Sequence, residues 1–185
     1  MKVLGISGSL RRDSHNTGLL RAASELLPPA AELVLYDGLG EIPPYSEDSE
    51  AAAPKPVGEL KAAIADADAV LFATPEYNHS IPGQLKNAID WVSRPVLGNP
   101  FWGKPVAVVG ASTGTFGAVW AQAELRKVVG SLHARVLDVE VPVAYAHEAF
   151  GSDGSLIDET VAEAVREVLA ELVEAASPSP VLLAA

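Results

Sequence analysis

A doubly wound α/β domain, with five parallel strands in the order 2-1-3-4-5 and helices on both faces, is what this sequence predicts. Three observations lead there. Short apolar runs alternate along the chain with stretches of helical periodicity. The best of those runs are apolar at every position, as in strands buried on both faces. The three connections with unusual chemistry follow the first, third and fourth strands, and the order 2-1-3-4-5, one of the two common for such a domain, gathers them at one edge, at the carboxyl ends beside the first strand.

The first strand is the apolar run at residues 3–6, ending in small residues. A polar turn follows, then a helical stripe over residues 19–27 that ends at Pro28 and Pro29, since proline cannot continue a helix. Residues 32–36 read as the second strand, closed by Asp37 and Gly38. Residues 39–56 form a long loop rich in proline and acids, a length that marks a mobile or functional segment. A helix covers residues 60–66, and the unbroken apolar run 69–73 is the third strand. Pro82 suits a first helical turn, with Leu85, Ala88, Ile89 and Val92 at helical spacing behind it. The loop at 95–103 holds Val96, Leu97, Phe101 and Trp102. The fourth strand spans 105–110 and leads through small residues into a helix ending near residue 132. Residues 136–141 read as the fifth strand and 157–176 as an amphipathic closing helix. The expectation is one domain over residues 1–176 with a frayed, flexible tail at 177–185.

Composition removes several functions. Of 185 residues, 49% are hydrophobic and 20% charged, which is globular rather than disordered. A net charge of −11 argues against nucleic acid and anionic membranes as partners. The absence of cysteine excludes disulfides, thiolate catalysis and cysteine-held metals. His15, His79, His133 and His147 show no metal-ligand spacing, so no metal is expected. No charged and apolar leader opens the chain and no run is long enough to cross a bilayer, so a cytoplasmic location is expected.

Ser9, Arg11, Ser14, Asn16 and Thr17 crowd the turn between the first strand and the first helix. The helix's free N–H groups and dipole, with a guanidinium fork, make an anion cup there. A plain capped start, with Ser14 or Asn16 as N-cap and Arg11 solvated, accounts for one or two of these residues. Five exceed that need. Following the third strand, Pro75-Glu76-Tyr77-Asn78 fixes a backbone angle so that the next amides can face a flat heterocycle. Tyr77 can pack on such a ring, while Glu76 and Asn78 hold the turn or bond the ligand. Read as an ordinary connection, the same loop has Ser80 cap the helix at Pro82. Ser112-Thr113-Gly114 brings backbone N–H groups to a polar ring edge, or simply opens a helix. A phosphate at one end and a planar polar ring at the other describe a mononucleotide such as FMN. The dinucleotide fingerprint lacks its third glycine after Gly5 and Gly8, although Asp37 stands where it could bond an adenine ribose or serve as a turn residue. No Gly-Lys-Ser/Thr completes a P-loop.

The run from Gly8 through Ser9, Arg11, Ser14 and Asn16 to Thr17 resembles the NADPH-dependent FMN reductase family. So do Pro75-Glu76-Tyr77-Asn78, Ser80-Ile81-Pro82-Gly83 and the run from Leu85 to Trp91. That family includes chromate, quinone and azo-dye reductases of flavodoxin-like fold. The likeness covers roughly residues 2–172. It implies that Ser9, Arg11, Asn16 and Thr17, with Ser14 nearby, hold the FMN phosphate. Pro75 to Asn78 would contact the isoalloxazine and ribityl chain, with Ser112, Thr113 and Gly114 near the ring. It implies ping-pong hydride transfer from NADPH or NADH through flavin N5 to a small-molecule electron acceptor, with no catalytic side chain; His79 and His147 are therefore left as solvated or structural. Quinones and free flavin are the foremost acceptors, azo dyes and metal oxyanions the others. The resemblance also implies a homodimer or tetramer, with Trp91 and the 95–102 loop walling the partner's pocket. Where many relatives carry Gly-Gly-x-x-Gly-Gly, this chain has Thr113-Gly114-Thr115-Phe116-Gly117-Ala118, and Phe116 would narrow the pocket or cover the ring. A flavodoxin-type electron carrier, a non-catalytic flavin-binding module and an NAD-binding protein using Asp37 are the rival readings.

Overall fold

In the computed structural model, which describes residues 1–177, strand β1 (Lys2–Ser7) has parallel neighbours on both sides. These are β2 (Glu32–Tyr36) and β3 (Ala69–Ala73). Strand β4 (Pro105–Ala111) lies beyond β3, and β5 (Arg135–Val136) closes the edge, in the order β2-β1-β3-β4-β5. This is the predicted order. Alternate residues supply two cores. Val3, Leu71 and Val109 face helices α1 (His15–Leu26) and α6 (Glu159–Ala176). Leu4, Val70, Phe72, Val106 and Val108 face α2 (Lys55–Asp66), α3 (Gly83–Val92) and α4 (Val119–Gly130). Every residue of β3 is buried, which is why its sequence shows no polar alternation. Val70, Leu71 and Phe72 each contribute about 1.5–3 kcal/mol through lost water contact.

Four expectations need correction. Helix α1 begins at His15 rather than Leu19, because Ser14 caps it and the polar turn supplies its first turn. Residues 39–56 are not a loose loop. They hold two 3₁₀ turns and bury Leu39 and Ile42, and their last two residues already belong to α2. Gln84 Nε2 donates to the carbonyls of Leu39 and Ile42, and Asn87 Nδ2 and Trp91 Nε1 both donate to that of Pro43, at 2.8–2.9 Å. Trp91 and Phe101, placed at an interface by sequence, are each 1% exposed and pack in their own core, Trp91 against Tyr45 and Phe101 against Phe72. Val96, Leu97 and Trp102 of that loop are exposed.

The fifth strand is split. After Leu137, whose N donates to Val106 O at 2.9 Å, the chain leaves β4, and it rejoins that strand as β6 (Pro142–Val143), opposite Gly110 and Ala111. Between these contacts the chain loops toward α4, where Val141 N donates to Gln122 Oε1 and Val139 O accepts from Arg126 Nη1, both at 3.1 Å. Polar side chains thus replace ladder bonds to β4 in a long bulge. A short helix, α5 (Ala146–Ala149), follows. The expected tail beyond Ser177 lies outside the described residues.

Candidate functional site

The connections after β1, β3 and β4 surround one cleft of about 250 Å³. Ser9, Arg11, Ser14 and Asn16 line it from the first, Pro75, Glu76 and Tyr77 from the second, and Ala111, Ser112 and Thr113 from the third. His15 lines it too. Thr17, Asn78, Gly114 and Asp37 do not.

Hydroxyls shape the first connection. Ser9 N donates to Ser7 Oγ and Arg11 N to Ser9 Oγ, each at 3.3 Å, and Thr17 Oγ1 bonds Ser7 Oγ at 2.9 Å. The turn they hold leaves the Arg11 side chain exposed. Ser14, in extended geometry, caps α1 by accepting from Thr17 N. The amides of His15 and Asn16, in the first turn, have no intrahelical acceptor, and the dipole makes this end electropositive. Asn16 is 3% exposed and turns its side chain to β4: Oδ1 accepts from Ala111 N and Nδ2 donates to Ala111 O, both at 2.9 Å. That amide works as a ladder rung between two loops. It is not free to grip an anion, and the Thr17 hydroxyl is engaged with Ser7.

In the second connection, Tyr77 and Ser80 exchange both backbone hydrogen bonds, at 3.0 and 3.1 Å. Asn78 and His79 make the two-residue turn between them with φ of 54° and 61°. Asparagine tolerates this left-handed region because its short amide bonds locally. Ser80 therefore closes the turn and does not cap α3, whose N-cap is Pro82. Glu76 reaches away: Oε2 accepts from Trp120 N at 3.1 Å and Ala121 N at 3.2 Å. Helix α4 has Ala118 as N-cap and no side-chain bond of its own, so Glu76 is its remote cap. Sequence reasoning missed this role. The one available signal is that no Ser, Thr, Asp or Asn stands immediately before that helix.

Segment 143–146 holds the third connection. Ser112 N donates to Val143 O and Ala146 N to Ser112 O, each at 3.0 Å, while Tyr145 Oη and Thr115 Oγ1 bond at 3.0 Å. Gly117 has φ 56°, and a Cβ there would lie 2.5 Å from Pro142 C, so glycine is required. Ala118 adopts φ 62° at the next position, a left-handed conformation that a residue with a Cβ rarely takes. Phe116 is 61% exposed and packs 4.8 Å from the Trp120 ring, which also meets His79 edge-on. Phe116 does not line the cleft, so it does not narrow it.

Glu76 is the one carboxylate in that wall, and its Oε2 is taken by α4. Opposite stand Arg11 and the start of α1. Burial, then Arg11 and His147, push the His15 imidazole below the usual histidine range. The cleft thus joins an anion-favouring end to a rim of backbone amides and one exposed tyrosine.

Residues 1–148 match the NADPH-dependent FMN reductase family. The chain is 47% identical over 174 residues to an NAD(P)H-dependent FMN reductase of Pseudomonas aeruginosa, covering 93% of each. It is 39% identical over 161 residues to a 2-hydroxy-1,4-benzoquinone reductase of Burkholderia sp, covering 86% of this chain and 87% of that one. Among solved structures, a flavoenzyme NAD(P)H:(acceptor) oxidoreductase from Paracoccus denitrificans superposes with a TM-score of 0.83 at 39% identity, over 95% of this chain and 96% of that one. The sheet order and its surrounding helices are flavodoxin-like. On that family match and those identities, the chain belongs to the NADPH-dependent FMN reductase family, oxidoreductases that work with FMN and NAD(P)H.

Proposed function

We propose that the protein takes reducing equivalents from NAD(P)H and delivers them, in ping-pong order, to a small acceptor, with quinones and free flavin foremost. The observation that carries this reading is the convergence of three connections on one cleft whose two ends differ chemically. The donor set fits FMN. Arg11, the Ser9 hydroxyl and the free amides at the start of α1 suit a phosphate. Tyr77, Pro75 and the backbone of Ser112 and Thr113 suit the ring and its side chain.

When bound, FMN supplies hydride chemistry at N5 of its ring. The chain's own work is to bind and orient. Arg11 neutralises the phosphate, while Asn16 holds the first connection in register with β4 and Glu76 holds the second against α4. We assign no catalytic acid or base. His79 has 76% of its side chain exposed and meets the Trp120 ring edge-on, and His147 lies outside the cleft. Exposed Phe116 and Trp120, with ring centroids 4.8 Å apart, and Tyr77 in the cleft wall offer apolar surface that suits a flat acceptor. We place the reaction in the cytoplasm and the protein in a homodimer or tetramer, with Val96, Leu97 and Trp102 as what remains of the expected contact. No helix among the described residues is long and apolar enough to cross a membrane.

The test is anaerobic. The FMN-loaded protein is mixed with NADPH or NADH and its absorbance followed near ~450 nm. Rapid bleaching, reversed by a quinone, is the expected result. Bound flavin that never bleaches with either nicotinamide would overturn the reductase reading in favour of a carrier or a non-catalytic flavin protein.

A further inference from the structure

Beside the cleft, on the other side of the first turn of α1, lies a larger cavity of about 580 Å³. Ser14 and His15 line both, so the two spaces meet at the anion-favouring end of the cleft rather than at Tyr77 and Thr113. Arg12, Arg21 and His147 line the larger cavity as well. Its wall includes Phe150, 8% exposed, whose ring lies 5.4 Å from that of His15.

Among the described residues Arg12 and Arg21 are in no ion pair, whereas Arg94, Arg126 and Arg166 each hold a carboxylate. Two acids also line the cavity. Asp153 Oδ1 accepts from Ser155 N at 3.0 Å and Ser155 Oγ at 2.6 Å, bonds that hold its carboxyl below the usual range. Asp13 is exposed. The hollow thus gathers two guanidiniums that are in no ion pair, the imidazole of His15, that of His147 beside Glu148, and two carboxylates of which Asp153 is already engaged by Ser155, with an aromatic ring in its wall. That combination suits a phosphate carrying a flat heterocycle.

We propose that this cavity takes the adenylate half of FAD, so that the chain binds FAD as well as FMN. The first phosphate lies at Arg11 and the start of α1, and the second phosphate, ribose and adenine continue past His15 toward Arg21 and Phe150. This rests on the reading that the flavin phosphate occupies that end of the cleft. The cavity's position favours the flavin as the carrier of the adenylate. An adenylate borne by the nicotinamide donor is tethered to the ring end, whereas this hollow opens from the phosphate end.

The experiment titrates the full-length chain, freed of flavin, with FMN and separately with FAD, following flavin fluorescence, and repeats both with Arg21→Glu. The expected result is a dissociation constant for FAD within about tenfold of that for FMN, and a loss of about tenfold or more in FAD affinity in the variant while FMN is unchanged. Binding of FAD more than tenfold weaker than FMN overturns the proposal, as does a variant that leaves the ratio of the two affinities where it was. If that ratio stays fixed while AMP displaces NADPH from the FMN-loaded protein, the hollow serves the donor's adenylate and the proposal fails. Failure of both flavins to bind would instead sink the assignment of the cleft itself.

Discussion

Two helices start at the same edge of the sheet, and their N-termini are finished in opposite ways. Helix α1 is capped by its own Ser14, one small hydroxyl that satisfies Thr17 N and leaves the amides of His15 and Asn16 at the cleft. Helix α4 has Ala118 in a left-handed conformation and no cap of its own. The carboxylate of Glu76 takes the amides of Trp120 and Ala121 instead. A negative charge already occupies one positive helix end, and the other is left open beside Arg11. The difference is what supports placing the proposed phosphate at α1 and not at α4, although both dipoles point to one edge.

The comparison can be broken most severely at Glu76. Its side chain is only 13% exposed and accepts two bonds as a charged group, so Glu76→Ala should cost about 3 kcal/mol of stability, read by urea denaturation. An unchanged midpoint would mean that α4 does not depend on its remote cap. Arg11→Ala acts on the open terminus. It should weaken FMN binding by about 2 kcal/mol, some thirtyfold, with little change in melting temperature. Equal affinity in the variant and the parent would remove the phosphate from α1.

Ser14→Ala should cost about 1 kcal/mol, the usual worth of a hydroxyl N-cap, and so clearly less than Glu76→Ala. A reversed ranking in the same urea series would contradict the contrast between the two caps. The smallest effect belongs to His15. Its folded-state pKa is depressed, so as pH falls through the usual histidine range the unfolded chain takes the proton first and stability declines. That loss is complete once pH drops below the folded value. Proton NMR of the flavin-free protein should show His15 titrating below the usual range, and a normal titration would show that neither burial nor Arg11 acts on it.

How much of this was legible in the sequence varies from residue to residue. β3 was readable to its ends because burial on both faces leaves five apolar residues in a row. The polar turn after β1 was readable as a helix entrance, yet the start of α1 was placed four residues late, since Asn16 and Thr17 were taken for ligand contacts rather than a first turn. Trp91 and Phe101 misled because large side chains in a loop look the same in sequence whether they face a partner or their own core. The split fifth strand left no local mark. Between its two halves, Gln122 and Arg126 of α4 take up Val141 N and Val139 O, partners that lie far away in the sequence.

The sequence by itself determined the alternation of strands and helices, the three connections that carry the cleft, and the kinds of residue that converge there. Those features rest on local patterns of burial, proline and helix entry, which short windows of chain express directly. Tertiary structure decided which of the polar side chains remain available to a ligand. Asn16 is claimed by Ala111, 95 residues away, and Glu76 by α4, 44 residues away. A hydrogen-bonding group gains most from whichever partner lies within reach once water is excluded, and reach across such distances in sequence exists only after the layers have packed.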